Sequence, residues 1–154
     1  MSINRHFGLL AVLGFLLLGS DTPAQKSVRD KLAAAKSVTC EFPIYATGTW
    51  TKGEPQAEVK AVTFSLRFIE INTDDGTARL ASGFGNFDII VRLSEGALHF
   101  IQFRRGPLYT TTIFDRESRE GKLKAVHSRH EYIEIFLPGF TSRPEQYYGE
   151  CEVE

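Results

Sequence analysis

The segment Ala125 to Tyr132, AVHSRHEY, carries two of the chain's four histidines, with a glutamate beside the second. Zinc-protease chemistry needs two histidines four apart on one helical face, in the order H-E-x-x-H. Here the order is H-x-x-H-E, and the segment runs on into YIEIFL, a β-branched and aromatic stretch that reads as a strand. On a strand His127 and His130 point to opposite faces, so they cannot ligate one ion together. His127, Arg129 and Glu131 do share a face, which Ile133, Ile135 and Leu137 continue. If the apolar half faces an interior, the polar half stands near its mouth and could hold a polar ligand group. The plainer reading is a solvated strand end with a cross-strand ion pair.

Other chemistry-bearing patterns are weaker. The run from Gly83 to Asp88, GFGNFD, imitates the start of a dinucleotide loop, but a strand follows where a helix would have to begin, so it reads as a turn. No G-x-S-x-G is present, and Ser128 points away from His127. Asp74 and Asp75 precede Gly76 and read as turn residues, because a calcium loop of twelve residues is missing. No catalytic set, metal set or cofactor site is therefore expected. A small hydrolase with His127 or His130 as base stands only as a third reading.

The elements that would position these residues are almost all strands. Gln25 to Ser37 has Val28, Leu32 and Ala35 at helical spacing and reads as a short helix. From Cys40 to Trp50 the even positions are Cys, Phe, Ile, Ala, Gly and Trp, an alternation that predicts one inward face. A second strand, Ala57 to Ile71, buries Val62, Phe64, Leu66 and Phe68, with a bulge or bend expected near each end where Val59 and Ile69 break parity. Further strands are expected at Thr77–Ser82, Phe87–Ser94, Ala97–Arg104, Leu108–Phe114, Lys122–Leu137 and Gln146–Val153. Glycines mark the turns at Gly76, Gly96, Gly106, Gly121 and Gly139. Eight or nine antiparallel strands after one helix predict an all-β barrel or sandwich, of which the barrel is favoured because closure removes exposed edges.

The whole chain sets the setting. Its 154 residues suit one domain, here 38–154 behind the helix, and 42% apolar with twelve Phe argues against disorder. Eighteen basic residues against nineteen acidic ones argue against nucleic-acid binding, and no basic run exceeds Arg104-Arg105. At the N-terminus Arg5 and His6 precede the apolar run Phe7 to Leu18, then small residues. That is the pattern of a secretory signal peptide over residues 1–24, with cleavage after Ala24 or after Ser20. The run is well short of the roughly 20 residues of a membrane-crossing helix, so a retained anchor is the lesser alternative. An exported, periplasmic or extracellular protein is expected. There Cys40 and Cys151 would form one disulfide rather than a metal site, bringing the first and last strands together.

The triplet Gly48-Thr49-Trp50, in ATGTW, resembles the Gly-x-Trp of lipocalins and other calycins and the TGTW of avidin-type barrels. That resemblance implies a Trp closing one barrel end and a cavity for a small apolar or amphipathic ligand. The stretch from Gly121 to Cys151, with AVHSRH and QYYGEC, resembles uncharacterised small exported bacterial β-proteins and implies export and a β fold. Together these give a non-enzymatic ligand-binding barrel, with Trp50, Phe64, Phe100, His127, Arg129 and Glu131 as the expected contacts. The alternative is an interaction or envelope-structural module, possible as a homodimer, because strands such as Leu98–Phe103 and Asp88–Leu93 are apolar on both faces.

Overall fold

The computed structural model describes residues 23–103, 107–131 and 143–154. Residues 1–22 of the expected signal peptide and the continuation Ile133, Ile135 and Leu137 lie outside them. A helix α1 (Pro23–Ala34) leads into eight strands: β1 (Val38–Thr51), β2 (Glu54–Asn72), β3 (Thr77–Ala81), β4 (Phe87–Ser94), β5 (Ala97–Phe103), β6 (Leu108–Glu117), β7 (Leu123–His130) and β8 (Glu145–Val153). Each strand pairs antiparallel with the next, and β8 returns to β1. The result is a closed up-and-down barrel, one of the two expected solutions. Among the described residues no helix is long and apolar enough to cross a membrane.

The seam between β8 and β1 carries the disulfide. Cys40 and Cys151 stand directly opposite each other, and their sulfurs are joined. Both are fully buried. At the same end, the Ser37 carbonyl accepts from the Glu154 N–H at 3.0 Å, and the Ser37 hydroxyl donates to the Glu154 carboxylate at 2.6 Å.

Helix α1 seals this end. Val28, Leu32 and Ala35 are buried and join Val91, Leu98 and Ile113 in one cluster. The carbonyls at the helix's end would be orphans. One of them, Ala33 O, accepts from the Thr73 hydroxyl at 3.2 Å, and just past the helix Lys36 O accepts from the Ile71 N–H at 3.2 Å. The helix packs on this inner cluster and not on the outer face of the two-sided strands, where Ile90 and Phe103 remain exposed.

The alternation expected from Cys40 to Trp50 breaks in the middle. Val38, Cys40 and Phe42 point inward, but the register shifts after Phe42 against both neighbouring strands. Pro43 sits at the shift and has no N–H to give a ladder, which is why a bulge is tolerated there. One residue of slip reverses every later side chain. Tyr45 and Thr47 turn inward, while Ile44 (45% exposed) and Trp50 (53% exposed) turn out. A second irregularity, with Glu70 at φ 52°, lets Ile71 reach the core after Phe68. The β1–β2 hairpin itself closes on Lys52-Gly53, both at positive φ (54° and 86°), a two-residue turn matching the twist of its long strands.

Candidate functional site

Among the described residues, the core is packed most fully at the helix end of the barrel. Phe68 and Phe100 stack with ring centroids 3.9 Å apart and form a floor across the lumen. Beyond them lies a cavity of about 310 Å³, within the range of small-molecule sites. Its apolar wall comes from Phe64, Leu66, Leu80 and Ile89, and its rim from Ser82, Phe84 and Phe87 in and around the β3–β4 loop.

The polar wall is built by register. On β6, β7 and β8 two transverse rows of inward side chains stand directly opposite one another: Thr111, His127 and Tyr147 in one, Tyr109, Arg129 and Glu145 in the next. In the deeper row Thr111 Oγ1 and His127 Nδ1 share a hydrogen bond of 2.8 Å. The imidazole packs between Phe64 and Tyr147, at 5.4 and 5.7 Å between centroids. Burial, with Arg129 nearby, lowers its pKa to about 4, so the ring is neutral at neutral pH.

The outer row is a charge network. Arg129 bonds the Glu145 carboxylate at 3.2 Å and pairs with Glu131 at 3.8 Å. Tyr147 donates to Glu145 at 2.6 Å, and Tyr109 donates to Glu131 at 3.0 Å. The guanidinium also lies 5.3 Å from the centre of the Tyr109 ring. Burial alone would lower the Arg129 pKa. The Tyr147 and Tyr109 hydroxyls and the Glu145 charge outweigh it and raise the value above the ordinary guanidinium range. Burial, and then the bond to Glu145, raise the Tyr147 pKa.

Of the six expected ligand contacts, Phe64, Phe100, His127 and Arg129 line the cavity. Glu131 stands behind Arg129, bonded to it and to Tyr109. Trp50 lies elsewhere: the β1 bulge turns it outward, opposite Pro55 in the hairpin, where it neither lines the cavity nor closes a barrel end. His130 is exposed, on the face opposite His127. Tyr109, Thr111, Glu145 and Tyr147 were not singled out from the sequence. They join the site only through the pairing of β6 and β8 with β7, which no local pattern announces.

The wall presents apolar surface, a neutral imidazole and a guanidinium paired with carboxylates. Among the described residues no three His, Cys, Asp or Glu side chains gather into a metal-binding set. Comparison with known families, curated proteins and solved structures finds no match for this chain.

Proposed function

We propose that the protein is an exported, non-enzymatic binder of a small apolar or amphipathic molecule, held in the open half of the barrel. The observation that carries this reading is the lopsided filling of the lumen. Helix and aliphatic side chains pack one end, while the other keeps a 310 Å³ cavity. A guest would lay its apolar body on Phe64, Leu66, Leu80 and Phe100 and turn its polar end toward Thr111, His127 and Arg129. Export is supported by the disulfide, which persists in oxidising compartments.

The test is native mass spectrometry of the protein purified from an oxidising compartment, beside titration with an environment-sensitive apolar dye. A co-purifying small molecule, or saturable dye binding at one site, is expected. Leu80→Trp, which pushes an indole into the cavity, should weaken dye binding at least about tenfold while the β circular dichroism persists. Dye binding equal in the wild type and in folded Leu80→Trp would sink the reading.

A further inference from the structure

Strand β2 is longer than the barrel needs. It pairs with β1 from Glu54 to Phe68, but with β3 only from Arg67 onward. From Pro55 to Leu66 the other edge of β2 has no strand partner among the described residues. A free edge offers a row of unpaired N–H and C=O groups to another strand. Pro55 indicates which residues present them: a strand proline sits where its missing N–H would face solvent. Ladder groups alternate, so Ala57, Val59 and Ala61 face the same way.

We propose that this edge pairs with the same edge of a second copy, antiparallel and centred on Val59, to give a two-fold dimer with one continuous sheet. A two-fold axis normal to the sheet requires residue pairs whose side chains share a face, which leaves few registers. Centring on Glu58 or Lys60 sets a like charge against itself. Centring on Ala57 sets Pro55 against Val59, whose carbonyl loses its donor beside the axis; centring on Val59 moves that loss out to Thr63. Centring on Val59 places Glu58 of each protomer opposite Lys60 of the other, on both sides of the axis. These two side chains already pair within one chain at 2.8 Å and are about half exposed. Charges on an edge usually block pairing. Here their alternating sign selects one register.

The outer face fits the same occupant. Val59 is 69% exposed, and Ala57 and Ala61 beside it are exposed too. With Ile44, Trp50 and Tyr148 they form an apolar stripe across β2, β1 and β8. In the dimer Val59 meets Val59, Ala57 meets Ala61, and the stripe runs on across the seam.

The chain has two cysteines, both in the disulfide, so an added thiol reports alone. Under mild oxidation Val59→Cys should give a covalent dimer. Ala57→Cys alone should not, whereas Ala57→Cys mixed with Ala61→Cys should. In sedimentation velocity the wild type should show a concentration-dependent dimer. Lys60→Glu should raise its dissociation constant at least about tenfold, and the swap Glu58→Lys with Lys60→Glu should restore it. A wild type that stays monomeric up to its solubility limit overturns the proposal. So does a dimer that Lys60→Glu leaves untouched, or one that Ala57→Cys crosslinks as fast as Val59→Cys.

Discussion

His127 is the residue whose environment makes a pH-dependent statement. Its titratable neighbours on three strands are Arg129 on β7, Tyr109 on β6 and Tyr147 on β8, and none supplies a negative charge directly. The folded chain resists protonating the ring until about pH 4, while the unfolded chain protonates it near 6.5. Above the upper value neither state binds the proton. Between the two only the unfolded state does, so stability is lost as the pH falls through that window. From pH 7 to pH 5 the expected loss is about 1–2 kcal/mol. Urea midpoints of wild type and His127→Gln at the two pH values check this; parallel shifts in both proteins would refute it. Arg129 makes a second test. Glu145 is only 7% exposed, so Arg129→Met strands a carboxylate in the wall. With the arginine a third exposed, the cost should be about 2 kcal/mol, and adding Glu145→Gln should recover most of it. A double variant no more stable than Arg129→Met would show that the stranded charge is not what destabilises it.

At the scale of the element, the bulge in β1 decides more than any single contact. Gly149 on β8 lies against it: a Cβ there would run into the Glu41 carbonyl and the Phe42 backbone. Gly149→Ala should therefore cost about 1–3 kcal/mol by forcing backbone to move, and a melting temperature equal to wild type would contradict that close approach. The same bulge marks where the sequence stopped being readable. Strand existence was legible because turns fall at regular spacing, with Gly76, Gly96 and Gly121 at positive φ. The shared face of His127 and Arg129 is legible too, because β7 runs unbroken over both; Glu131, one residue past its end, still pairs with Arg129. The inward face of β1 is not, since strict alternation from Cys40 to Trp50 ignores Pro43. A proline inside an alternating run is itself a bulge signal, and it is the one local sign that Trp50 turns outward. The partners of His127 were illegible for a different reason. Thr111 and Tyr147 meet it through register between strands, which depends on turn lengths and barrel closure.

At the scale of the molecule, every pairing except one among the described strands joins neighbours in sequence. The exception is the β1–β8 seam, where Cys40 and Cys151 are 111 residues apart. Closing such a loop carries the largest entropy cost of any pairing in the barrel, and the disulfide removes that cost from the unfolded chain, by about 4–5 kcal/mol on the chain-entropy account. Reduction should lower stability by up to that amount. Its kinetic signature depends on when the seam forms. Local hairpins repay their closure at once, so β1–β8 should join last, after the transition state. A crosslink then raises the unfolded state and the transition state alike and leaves the folding rate nearly unchanged. The whole gain should appear as slower unfolding. Stopped-flow folding and unfolding of the oxidised protein and of the Cys40→Ala, Cys151→Ala double variant separate the cases. A tenfold or greater difference confined to the unfolding limb is expected. If the folding limb shifts instead, the seam is already closed at the transition state and the barrel assembles around it.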